Sequence, residues 1–209
     1  HASKDALGDI PSDKTIVVER FSDLTENTQI VVHCPFGVRI GRAWALALRH
    51  IIGKDAGVEI QAAATDDGFL LSLPGSVELR TGDIIDMVSA QTARRSGEQA
   101  VLDVPMFMIR WRHVAARALM VPRMRGGRRV PPHIQRTDAD ELLLSAFPTP
   151  AIGQSLRIEA KQGGAKSQKD QAPDVPIPDQ PLVRQAIKDC LEDAMDIVGF
   201  ETLLERLHS

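Results

Sequence analysis

The sequence predicts an α+β fold, a mixed or antiparallel β-β-α-β-β sheet with a helix on one face, followed by a mostly helical C-terminal half. Three observations carry this. The chain opens with two runs rich in Val and Ile, 15–20 (TIVVER) and 29–33 (QIVVH), and such residues favour strands because their branched Cβ packs well on a pleated surface. A second pair of strand-like runs flanks Asp66-Asp67-Gly68. From Asp83 onward the apolar spacing changes from two to that of a helix.

Taken in order, Pro35-Phe36-Gly37 ends the second strand and a helix follows over 38–52. Ile40, Trp44, Ala47, Leu48 and Ile51 fall within about 100° of a helical wheel, with Arg39, Arg42 and Arg49 opposite and Gly53 as the expected stop. Segments 58–64 and 69–73 make the second hairpin. Helices are expected at 82–89, 91–102, 105–121 and 137–146, the last capped by Thr137 with Asp140 completing the box. Segment 149–178, with its Gly, Lys, Gln and Pro content, reads as a linker or long mobile loop. Asp179 is placed to cap a helix over 181–195, and Asp196 a second over 198–207. The expected organisation is therefore a sheet subdomain over 1–80, a helical subdomain with a basic loop over 81–148, the linker, and a helical pair over 179–209.

With 209 residues, 43% hydrophobic and 25% charged, the composition is that of a globular chain able to bury about 70% of its unfolded surface without a disulfide or metal. No run reaches the roughly 18 apolar residues of a membrane span, so no membrane partner is expected. The opening HASKD lacks a secretory signal, and His1 in place of Met suggests a cleaved tag or a cut boundary. Two separated cysteines, Cys34 and Cys190, point to a reducing compartment and are expected in the core. The expected setting is the cytoplasm.

Several chemical signatures fail on inspection. Gly163-Gly164-Ala165-Lys166-Ser167 lacks the Gly directly before Lys, and the entering strand, of a phosphate-binding loop. Asp138-Ala139-Asp140-Glu141 precedes Leu142-Leu143-Leu144, the order of a helix start rather than of an ATPase acidic box. The six histidines are scattered, with no i,i+4 pair, and no metal site is expected. The chain by itself is expected to have no catalytic residue and no cofactor.

The arginines stand out. Between Asp103 and Asp138 the sequence has no acid and eight arginines: Arg110, Arg112, Arg117, Arg123, Arg125, Arg128, Arg129 and Arg136. This block is +8 in a chain of net charge −3, leaving −11 on the rest. Such segregation suggests a polyanion partner, and guanidinium suits bidentate phosphate contact, though it equally suits interface ion pairs. Arg110, His113 and Arg117 share one helical face, and the helix leads into Arg123-Met-Arg125-Gly-Gly-Arg128-Arg129, read as a flexible tip. Trp44 and Trp111 are each open to two readings, core packing or base stacking.

Three stretches, 33–49 (HCPFGVRIGRAWALALR), 110–148 (RWRHVAARALMVPRMRGGRRVPPHIQRTDADELLLSAFP) and 177–204 (IPDQPLVRQAIKDCLEDAMDIVGFETLL), resemble the large helicase-related (Lhr) family of ATP-dependent helicases. The similarity covers most of the chain in order and corresponds to that family's DEAD/H-associated module, which follows the motor and winged-helix domains. The resemblance implies an accessory domain of a 3′-to-5′ DNA translocase, lining part of the single-strand path. Its partners would be single-stranded DNA, or RNA within a hybrid, and the motor and winged-helix domains of the same parent, where ATP and Mg would bind. The residues expected on the nucleic acid are Arg39, Arg42, Trp44, Arg110, Trp111, Arg117, Arg123, Arg125, Arg128, Arg129 and Arg136. A structural module that docks on protein without touching DNA is the rival expectation. Cys34 stands where the family motif has Ala, and Gly41 where it has Asn.

Overall fold

A computed structural model describes residues 8–24, 26–147 and 174–209. The described residues fall into two compact units, one made of 8–100 and 194–209, the other of 101–147 and 174–193. The 20 residues after the predicted sheet subdomain thus belong with the sheet, and the predicted C-terminal helical pair is divided between the units. Most of the predicted linker lies outside the described residues, as does Gly163–Ser167; residues 174–178 have neither helix nor strand.

In the first unit, β1 (Val17–Ser22), β2 (Thr28–His33), β3 (Gln61–Ala64) and β4 (Gly68–Leu73) form one sheet in the order β1-β2-β4-β3, all neighbours antiparallel. Alternation places Ile30 and Val32 of β2 beside Leu71 and Phe69 of β4 on the buried side. Helix α1 (Val38–Ala56) covers them with Trp44, Ala47, Leu48 and Ile52. It passes through Gly53, the predicted stop, and closes instead at Gly57, whose left-handed φ of 66° suits a residue without Cβ. Gly53 is small for a different reason: a Cβ there would stand 3.1 Å from the carbonyl of Val58. The short α2 (Asp83–Asp86) and α3 (Ala90–Leu102) follow. The C-terminal α7 (Ile197–Leu207) completes the unit, and Asp196 caps it as expected, accepting 2.9 Å from the Gly199 N–H.

In the second unit, α4 (Pro105–Arg117) packs with α5 (Pro132–Ala146) and α6 (Pro181–Lys188) around Phe107, Trp111, Leu143 and Val183. Between α4 and α5 lies a hairpin of β5 (Met124–Arg125) and β6 (Arg128–Arg129). Three expectations are corrected here. Helix α4 ends at Arg117 rather than 121, because Leu119 turns left-handed at φ 59°. Helix α5 begins at Pro132 and not at Thr137. Pro132 holds Pro131 extended (φ −59°, ψ 145°) and itself starts the helix, which needs no N–H at that position. Thr137 sits inside and donates to the His133 carbonyl at 3.2 Å. Finally, the helix expected over 181–195 is α only to Lys188 and continues as a π-helical turn, Asp189–Ala194. Asp179 does not cap it; it pairs with Arg184.

Candidate nucleic-acid interface

The regular spacing of α4 is what gathers the cations. Positions i, i+3 and i+7 share a helical face, so Arg110, His113 and Arg117 line one open cleft of about 320 Å³ together with Ala116, Arg123 and Asp189. The lining thus carries three guanidiniums against one carboxylate. That carboxylate is held tightly. Asp189 is 7% exposed, its Oδ2 accepts from Arg117 Nη2 at 2.5 Å, and its Oδ1 accepts from Gln185 Nε2 at 2.6 Å. Arg117 itself remains 61% exposed at the side chain. Arg110 is held more loosely, 3.6 Å from Asp193.

Of the other block arginines, Arg112 makes a forked pair with Asp140 (3.1 and 3.4 Å) and Arg125 pairs with Asp138 at 3.0 Å. Arg123, Arg128, Arg129 and Arg136 are exposed and have no ion pair among the described residues. Half of the block is therefore internally compensated and half is not. The glycine pair expected as a flexible tip is a tight turn. Gly126 and Gly127 both have positive φ, 55° and 77°, as a two-residue type I′ hairpin needs. It sets Arg125 directly across from Arg128. Like charges facing across strands repel, and Asp138 pairs with Arg125 of the two.

The remaining expected site residues have different surroundings. Arg39 and Arg42 lie in the first unit, where Nη2 of Arg39 donates to the Met195 carbonyl and Nη1 of Arg42 to that of Ala194, each at 2.9 Å. Trp44 is 0% exposed, its ring 5.5 Å from Phe69 and 5.7 Å from Phe200, and its Nε1 has no hydrogen-bond partner among the described residues. Trp111 is also 0% exposed, and its Nε1 donates 2.7 Å to the Ala139 carbonyl. Of the two readings left open for each ring, the fold takes core packing: stacking on a base would require the ring to leave its pocket. Truncating either to Ala would cost on the order of 3–5 kcal/mol of stability. Such variants would report on folding before binding.

The cysteines are core residues. Burial pushes the Cys34 thiol up to about 11. It pushes Cys190 up to about 12, against a smaller opposing pull from Arg110. Neither is a thiolate near neutral pH.

The residues that the sequence did not reveal are the acids. Asp189 and Asp193 sit in the run DCLEDA, more than 70 positions from the arginines they face. The only sequence signal was that a +8 block must have compensating charge somewhere. Among the described residues no helix is long and apolar enough to cross a membrane.

Comparison with known proteins agrees with this architecture. A family model described as DEAD/H associated matches residues 10–209. The chain is 30% identical over 98% of its length to the Lhr helicase/probable uracil glycosylase of Mycolicibacterium smegmatis, of which it spans 12%. It is 24% identical over 97% of its length to the ATP-dependent helicase Lhr-Core of Sulfolobus acidocaldarius, of which it spans 20%. A solved structure of Mycobacterium smegmatis helicase Lhr bound to ssDNA and AMP-PNP superposes with a TM-score of 0.71 at 29% identity, covering 98% of this chain and 22% of that one.

Proposed function

The chain belongs to the DEAD/H associated family, and from that premise we propose that it is a nucleic-acid-binding accessory module of an ATP-dependent DNA helicase. The module would hold the backbone of a single strand while motor domains of the same polypeptide bind ATP and Mg²⁺ and translocate 3′ to 5′. The observation that carries this reading is the cleft. Arg110, Arg117 and Arg123 converge on one open space with a single carboxylate, and the adjoining hairpin adds Arg128 and Arg129 without acids of their own. Guanidiniums that contact phosphates position a strand without reading its sequence. The module would therefore bind with little sequence preference. Arg39 and Arg42, which donate to the Met195 and Ala194 carbonyls, are the candidates for backbone contact in the first unit.

A second reading has its own support. Four of the eight block arginines already pair with aspartates of this chain, which is how arginines behave at protein interfaces. The two readings differ in salt dependence. Each phosphate neutralised on a single strand adds about −0.7 to the slope of log affinity against log salt, so about four contacts give a slope near −3. Replacing Arg123, Arg128 and Arg129 together by Ala should flatten it by about 2. Folding should be little changed, because exposed substitutions away from caps and cores stay within about 0.5 kcal/mol. Fluorescence anisotropy with a labelled oligonucleotide measures the slope. An unchanged slope in the triple variant hands the surface to protein docking.

A further inference from the structure

Helix α4 closes with two specific bonds. The N–H of Met120 reaches the Ala115 carbonyl at 3.0 Å and that of Leu119 reaches Ala116 at 3.2 Å, the pairing of a Schellman ending. The residue at the turn of that ending is left-handed and is most often Gly, since a Cβ there crowds the following carbonyl. In this chain it is Leu119, at φ 59°. The strained leucine is not repaid by burial, because its side chain is 83% exposed. Met120 and Met124 are also exposed, at 55% and 57%.

These residues belong to the segment that carries two of the cleft arginines. Arg117 and Arg123, which bracket Leu119 and Met120 in sequence, both line the cleft. Two peptide steps put the Leu119 Cα at most about 7.6 Å from that of Arg117. A cation-lined cleft with an apolar projection beside it matches a strand, which alternates phosphates with bases that expose apolar faces. A protein partner would need an acidic surface with an apolar socket, and the arginines left unpaired on the hairpin favour a polyanion instead. Both tryptophans have their faces covered, which leaves the exposed Leu119 and Met120 as large apolar groups next in sequence to the cleft arginines. Strained, exposed positions of this kind concentrate where binding occurs, and Leu and Met are residues used as wedges at base steps.

We infer that Leu119, with Met120 beside it, is an apolar wedge that contacts and unstacks a base of the strand whose phosphates lie in the Arg110–Arg117–Arg123 cleft. The inference rests on the nucleic-acid reading of that cleft. The test uses the whole 209-residue chain and a thymidine oligonucleotide with 2-aminopurine at successive positions, whose fluorescence rises on unstacking. Leu119→Gly and Leu119→Asn both suit the left-handed backbone, so both should fold with an unchanged or higher urea midpoint. Both should bind about fivefold more weakly, with the salt slope unchanged because a base contact releases no counterion, and should lose the fluorescence rise of the parent chain. Full affinity and a full fluorescence rise in both variants would overturn the wedge. The arginine triple variant reports on the cleft separately, so a silent Leu119 with a flattened arginine slope refutes the wedge alone.

Discussion

Asp189→Asn separates the two uses of the cleft, because it opposes folding and favours polyanion binding at once. The carboxylate is almost fully buried and holds both Arg117 and Gln185. Asn keeps the volume and can still exchange a hydrogen bond with Gln185, so what is lost is the charge-assisted bond to Arg117. Bonds to charged groups are worth about 1.5–3 kcal/mol, but Arg117 is 61% exposed and water can replace much of what it loses. A net cost of about 1 kcal/mol follows, which lowers the melting midpoint by roughly 2–4 °C in a chain of this size. The cleft, meanwhile, loses the only carboxylate among its described lining residues. At roughly 6 Å from a bound phosphate, a unit charge at an effective dielectric of 20–80 contributes about 0.7–3 kcal/mol of repulsion before salt screening. Removing it should tighten single-stranded DNA binding about fivefold at low salt, an effect that fades as salt rises. The assays are thermal unfolding by circular dichroism and anisotropy titration on the same preparation. Weaker binding by a folded Asp189→Asn would refute the reasoning, since it would mean that Asp189 acts by orienting Arg117 rather than by opposing the strand.

Two further outcomes test the packing. Trp111→Phe removes the bond to the Ala139 carbonyl whereas Trp44→Phe removes none. In urea unfolding the first should therefore be less stable than the second by about 1 kcal/mol, and equal costs would show that the Ala139 bond contributes nothing. Asp196→Ala deletes the cap that receives the Gly199 N–H and should cost about 1 kcal/mol, read as a lower urea midpoint with an unchanged m-value.

Much of the first unit was legible because its signals are local. Alternating Ile30 and Val32, the Asp66-Asp67-Gly68 turn and the apolar stripe of α1 each specify an element within a few residues, and the sheet followed from them. Boundaries were misjudged where a residue could serve two purposes. Gly53 looked like a stop but is small to admit the Val58 carbonyl, and Thr137 looked like a cap but lies within a helix that Pro132 had already begun. Leu119 ended α4 against its own preference, which no propensity scale would suggest.

The sequence by itself determined that this chain opens with a β-β-α-β-β sheet, mixed or antiparallel, that residues 104–137 are strongly cationic, and that Arg110, His113 and Arg117 share a face, because period and charge are properties of short segments. Only the tertiary structure decided which of those cations are already neutralised. Asp140, Asp189 and Asp193 meet their arginines through helix packing and Asp138 meets Arg125 through the fold of the hairpin, and Coulomb energy depends on distances in space that sequence separation does not encode. The same packing enclosed both tryptophans and left Leu119 outside. Burial is settled by what the rest of the chain places over a side chain, and a wheel or a hydropathy pattern sees only the side chain itself.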